Sequence, residues 1–197
     1  MRGTLRAVAT TGLLLVLGTA GLAGQTRLVL GVGGGPIFPN KSSFSDNTYK
    51  VKSVGYHFQF MLGVAPGNGK LSFRVDGQYG SVKYEPLTTG TVAKDKIFAV
   101  NADLVFHPTT SGGVRPYLLA GPTYGHFSFR SGLTGTASAD ETTNNVGFNG
   151  GAGLNFGNSE KIWFFLESRY IYTKDHKYIP VTLGVRINTG QAYTKKS

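Results

Sequence analysis

Between Ile162 and Tyr172 the chain reads Ile-Trp-Phe-Phe-Leu-Glu-Ser-Arg-Tyr-Ile-Tyr, and this stretch restricts the fold more than any other. Its even positions Ile162, Phe164, Leu166, Tyr170 and Tyr172 are large and apolar or aromatic, interrupted only by Ser168, while Glu167 and Arg169 at odd positions carry opposite charges. A repeat of two specifies a β-strand, because successive side chains point to opposite faces. One face needs an oily surrounding. The other holds an acid and a base two residues apart, near enough to share an ion-pair network. A soluble sandwich turns the oily face to its core and the charged face to water; a membrane barrel inverts this, oily face to lipid and charges to a narrow lumen. The choice lies with the rest of the chain.

Seven further runs alternate in the same way, separated by turn-rich segments, and none shows a helical period. They cover about residues 26–36, 56–65, 70–84, 96–107, 115–130, 146–156 and 178–188. The least regular is 115–130, where Pro122 must sit at a point that needs no ladder donor, such as a bulge. With 162–172 the count is eight, the even number that a closed up-and-down barrel requires. Each run is about 10 to 15 residues, longer than the soluble mode of about 5 to 6 and sufficient for the 9 to 11 that cross a bilayer at a tilt. The connections Ile37–Gly55, Glu85–Asp95 and Ser131–Asn145 are long, whereas Pro66–Gly69 and Gly157–Lys161 are short and Pro108–Val114 is of medium length. Long and short connections alternate as outer loops and periplasmic turns do when the N-terminus starts in the periplasm; the short Thr173–Lys177 loop is the exception.

Residues 1–23 carry Arg2 and Arg6, then an apolar run, then the small residues Gly21 and Ala23. That is the layout of a secretory signal peptide cut after Ala23, and the run is too short and too interrupted for a transmembrane helix of about 20 residues. Its removal takes away two positive charges and no acid, leaving +8 of the formal +10. Such a balance suits an anionic neighbour, and export favours lipid phosphates over nucleic acid; no basic segment interleaved with stacking aromatics supports a nucleic-acid site. The chain has no cysteine, which excludes disulfides and thiolate chemistry. Charged residues make up 15%, against roughly 25% in ordinary soluble domains, and the 29 glycines are about twice the usual share.

The polar faces argue against a soluble shell, which would be rich in Lys, Glu and Thr. These faces hold Gly, Asn and a few charges of mixed sign: Arg74, Arg169 and Arg186 against Asp76, Asp103 and Glu167. Three bases meet three acids in a lumen that side chains just fill, and a balanced network is the form in which buried charge is tolerable. Its role is structural or gating. Glycine on the same face leaves the arginines room. Aromatic residues near run ends, Tyr56, Tyr79, Tyr84, Phe106, Trp163, Tyr170, Tyr172 and Tyr178, suit interfacial girdles.

The phrases Arg115-Pro116-Tyr117-Leu118-Leu119-Ala120-Gly121, Gly147-Phe148-Asn149-Gly150-Gly151-Ala152-Gly153, Leu166-Glu167-Ser168-Arg169-Tyr170 and Ile179 to Arg186 resemble the outer-membrane protein β-barrel domain family. The resemblance covers about Thr26 to Ile187 and implies a small eight-stranded barrel of the bacterial outer membrane, without implying an activity. Such barrels commonly end on an aromatic residue; here Ile187 is followed by residues 188–197.

Other motifs carry less. Gly31-Val32-Gly33-Gly34-Gly35-Pro36 lacks the spaced third glycine opening a helix, so it is not a nucleotide loop. His126-Phe127-Ser128 resembles the His-x-Ser pair of outer-membrane lipid A deacylases, with Glu141 downstream, but those enzymes carry the pair on the strand before the final hairpin. The matching place here, Arg169-Tyr170-Ile171, has neither group. His57, His107 and His176 are scattered without metal-ligand spacing. Lysines 41, 50, 52, 83, 94, 96, 174 and 177 lie toward the outer rim and outnumber nearby acids modestly.

The sequence therefore predicts an all-β, eight-stranded antiparallel up-and-down transmembrane barrel over residues 24–189, after a signal peptide over 1–23 and before a short tail over 190–197. It is expected to be a non-enzymatic monomer of the bacterial outer membrane, without cofactor or metal, in contact with lipid and lipopolysaccharide. Its role is envelope-structural, with outer loops for adhesion or ligand contact. The alternative is a narrow porin-like channel, and a lipid-modifying enzyme is the third class.

Overall fold

The computed structural model describes residues 27–40, 49–51, 54–65, 69–86, 93–130, 140–157 and 161–189. Nine strands run in chain order: β1 (Arg27–Pro39), β2 (Tyr49–Val51), β3 (Gly55–Ala65), β4 (Leu71–Pro86), β5 (Ala93–Phe106), β6 (Val114–Arg130), β7 (Asp140–Phe156), β8 (Ile162–Thr173) and β9 (Lys177–Thr189). All neighbours pair antiparallel. β1 bonds to β9 as well as β3, and β4 to β5, so eight strands close a barrel while three-residue β2 lies against the outer end of β4. The signal peptide expected over 1–23 and the tail over 190–197 fall outside the described residues, as does most of the Ile37–Gly55 loop.

Alternation dictates the two surfaces. On β8, Ile162, Phe164, Leu166, Tyr170 and Tyr172 are exposed, whereas Trp163, Phe165, Glu167, Arg169, Ile171 and Thr173 are buried. The other barrel strands repeat the pattern, so the outer wall is a belt of bare apolar side chains: Phe58 is 69% exposed and Phe148 70%. Water would penalise such a continuous patch heavily; lipid does not. Meanwhile Asp103 is 0% exposed and Arg169 2%. Charges inside and oil outside make this a membrane-spanning barrel.

Three features differ from the sequence reading. Trp163, Tyr84 and Tyr178 do not join the girdles but point inward, because they share parity with Glu167, Asp76 and Thr182 on their own strands. Pro122 causes no bulge: the β5–β6 register is the same at Asn101↔Thr123 and Leu104↔Ala120, and the ladder simply omits the pairs between. On that omitted stretch the Gly121 carbonyl accepts from Asn149 Nδ2 at 3.2 Å. Finally, β7 begins at Asp140 instead of 146, since Thr142 to Asn145 pair with β6 as a polar ladder above the apolar belt. A hairpin beyond the lipid needs no apolar face, so alternation of hydrophobicity is blind to it.

Candidate functional site: the lumen

Five of the six charged residues singled out in the sequence meet at mid-barrel. Arg74 and Asp76 come from β4, Asp103 from β5, and Glu167 and Arg169 from β8. Arg169 touches all three acids: its Nε donates to Glu167 Oε1 at 2.5 Å, Nη2 to Asp76 Oδ2 at 2.7 Å, and Nη1 to Asp103 Oδ2 at 3.1 Å. Arg74 donates to Glu167 Oε2 at 2.8 Å and to Asp103 Oδ2 at 3.4 Å. Neutral partners complete the cluster. Tyr117 donates to Glu167 at 2.7 Å, Asn101 to Asp76 at 2.8 Å, Asn149 to Asp103 at 2.8 Å, and Thr123 to Asn101 at 2.7 Å. Two guanidiniums thus stand among three carboxylates, with amides and hydroxyls supplying the remaining donors. Removing charges from water is costly, and only such dense bonding offsets it.

Glycine makes the space. A Cβ on Gly153, opposite Glu167, would land on the Tyr117 ring and hydroxyl, and one on Gly151, opposite Arg169, would meet Arg169 Cγ at 3.0 Å.

Arg186 does not join. It faces the lumen at the level of Trp163, its register partner, four residues below Glu167 on β8, with its guanidinium carbon 6.0 Å from the Trp163 ring centroid. Among the described residues it ion-pairs with none of the three acids. Parity fixes which face a side chain takes; its height along the axis depends on strand tilt and stagger, which the sequence pattern does not carry.

Toward the outside, His57 Nε2 lies 2.8 Å from Thr182 Oγ1, which in turn donates to Gln59 at 3.2 Å, and Gln78 donates to Gln59 at 3.2 Å. Above this polar layer Ile37, Val82, Tyr84, Ile97, Phe127, Ile171 and Tyr178 form a buried apolar cluster. His176, in the last outer turn, stacks on Phe127 with ring centroids 3.7 Å apart and sits 3.6 Å from Asp95 Oδ2. Burial lowers its pKa to about 4, with Asp175 opposing, so the imidazole is neutral at neutral pH.

The periplasmic end is different. There the lumen opens into a cavity of about 380 Å³ whose polar lining includes Arg27, Arg74, Arg115, Arg186, His107 and Asn155. Arg115 stacks over Trp163 at 4.2 Å from the ring centroid. His107, in the β5–β6 turn, has its pKa lowered to about 4, first by burial and then by Arg186, Arg74 and Arg115.

The His126 and Ser128 pair lies elsewhere, at the outer end of β6. His126 Nδ1 is 2.7 Å from Asn144 Oδ1 rather than bonded to Ser128. The side chain of Glu141 lies outside the described residues. Among the described residues no three His, Asp or Glu side chains gather as a metal site.

The sequence matches the model of the outer membrane protein beta-barrel domain family over residues 9–193. The chain belongs to that family. This outer-membrane barrel also has the fold of several solved structures. The Ail attachment invasion locus protein of Yersinia pestis, in complex with the heparin analogue sucrose octasulfate, aligns at TM-score 0.55 and 17% identity, over 85% of this chain and 99% of that one. OprG of Pseudomonas aeruginosa aligns at TM-score 0.56 and 14% identity, over 86% and 98%. A major outer membrane protein of Thermus thermophilus aligns at 0.57 and 12% identity, over 83% and 99%. No curated protein matches by sequence. The barrel is a bacterial outer-membrane protein, as its family and its apolar belt both require.

Sequence reasoning missed Tyr117 and did not foresee the cavity. Tyr117 shares parity with Leu119 in the least regular run, so nothing marked its face as polar. Arg115 enters the sequence reading only as the start of the 115–130 run and part of a family phrase, His107 only as an isolated histidine, and Arg27 not at all; only closure brings them together.

Proposed function

We propose that this barrel is a non-enzymatic, monomeric, envelope-structural protein whose outer loops make contact with ligands or surfaces. The supporting observation is the filled lumen. A path from the periplasmic cavity would have to pass the Arg74–Arg169–Asp76–Asp103–Glu167 cluster, then the His57–Thr182–Gln59 layer, then the apolar cluster at the outer end. With the interior stapled, function falls to the outside, to the connections between β1 and β3, β4 and β5, and β6 and β7. Ail, of the same fold, is an attachment protein seen with a sulfated sugar, and the rim lysines of this chain suit phosphate- or sulfate-bearing surfaces such as lipopolysaccharide.

Refolded protein in a planar lipid bilayer tests the reading, alongside Glu167→Gln and Arg169→Gln. Silence from all three folded proteins is expected. Discrete steps that change with those substitutions would make the charges the lining of a channel. That second reading has one observation in its favour: the cavity reaches inward as far as Arg74.

A further inference from the structure

We infer that the periplasmic end of the lumen is a binding site for a small soluble oxyanion of the phosphate class. Four guanidiniums from four different strands, Arg27, Arg74, Arg115 and Arg186, line one cavity, and among the described residues no Asp or Glu lines it. Arg74 is committed to Glu167 and Asp103. The other three have no carboxylate partner among the described residues.

Polar groups there also lack partners. Arg186 Nε is buried without an acceptor, and so is Asn155 Oδ1 without a donor, although Asn155 is wholly buried. A buried donor on a charged group left without an acceptor is costly, and an oxyanion supplies what Arg186 lacks. Arg115 and Arg186 are both set against the Trp163 ring, at 4.2 and 6.0 Å, so their planar forks are held in place before a ligand arrives. The planar donor fork matches phosphate oxygens two at a time. His107 at the cavity wall is held uncharged first by burial and then by the neighbouring Arg186, Arg74 and Arg115, in keeping with a net positive cavity.

Size and position narrow the ligand further. About 380 Å³ is within the range of small-molecule sites, roughly 300–1,000 Å³. Val29, Phe73, Val105 and Phe165 give the walls an apolar share, which suits a phosphate carried on a compact organic body. Gly69, Thr109 and Thr110, from the periplasmic turns, line it too, so access is from inside the ring of strands, away from the lipid-facing belt. A headgroup whose acyl chains remain in the bilayer does not reach there; a soluble periplasmic molecule does. The site is independent of whether the outer loops bind anything.

Trp163 is the chain's single tryptophan and lies beneath two of the arginines, so its emission reports on the site. The full chain in nanodiscs is titrated with inorganic pyrophosphate at constant ionic strength. A saturable change in emission is expected, weakened about tenfold or more in Arg186→Gln and in Arg115→Gln, each losing charge-assisted bonds to the anion. Circular dichroism checks that each variant keeps its barrel. In the wild-type protein, where folding is not at issue, pyrophosphate should raise the His107 pKa, read by NMR, because the anion offsets Arg186, Arg74 and Arg115 on one side while Lys70 and Tyr117 remain unchanged on the others. No saturable response, an equal response to sodium chloride, unaltered affinity in folded Arg186→Gln, or a His107 pKa that does not move would each overturn the site.

Discussion

The middle of the lumen and its periplasmic end hold the same kind of side chain under opposite conditions. At mid-barrel, Arg169 is surrounded by Glu167, Asp76 and Asp103 and by amides that finish the carboxylates' valences. At the periplasmic end, Arg186 stands beside an aromatic ring with an idle Nε and no acid among the described residues of the cavity wall. Both arginines extend inward from neighbouring strands. Compensation, rather than burial alone, separates a charge that braces the barrel from one that stands ready for something else.

The contrast breaks most sharply at Arg169. Arg169→Met leaves three carboxylates around Arg74 alone, and losing one partner of a buried network costs about 3–5 kcal/mol. Urea unfolding from lipid vesicles should show it; a loss below about 1 kcal/mol would mean that water relieves the cluster. Gly153→Ala comes next. The new methyl displaces Tyr117 and its bond to Glu167, at about 1–3 kcal/mol of overpacking, visible in the same assay. The smallest effect is a slope. His107 has an ordinary pKa of 6.5 and a folded value of about 4, so between those pH values the unfolded chain takes up a proton that the folded barrel refuses. Stability therefore falls as pH drops through that window. His107→Gln should make the fall shallower, whereas an unchanged slope would remove the positive field from the account.

Much of this was legible in a repeat of two. The parity of Ile162 to Tyr172 assigned faces, eight such runs gave the barrel, and the loop lengths oriented it. Height was not legible. Asp103 and Arg74 face each other because they are register partners, and Arg186 falls short of Glu167 because β9 meets β8 with Arg186 opposite Trp163. Register between strands is set by closure as a whole, so a list of lumen-facing charges contains the cluster without showing who meets whom. The same limit hid the cavity, whose arginines are spread from residue 27 to residue 186.

The charged cluster draws only on β4 to β8, and its widest pairings, Asp76 with Arg169 and Arg74 with Glu167, each span 93 residues. The seam that shuts the barrel joins chain ends: Thr189 bonds to the Leu28 carbonyl across 161 residues. On the lumen face along that seam lie Gly31, Gly33 and Gly184. Closing the longer span carries the greater entropic penalty, whereas the ionic staple needs only β4 to β8 to curl far enough to bring β4 and β8 together, before the ring is shut. At its middle, where Gly33 faces Gly184, the last seam then has little side-chain bulk to arrange on its inner face, and a chain entering the membrane can settle its most expensive electrostatics before it becomes a closed ring.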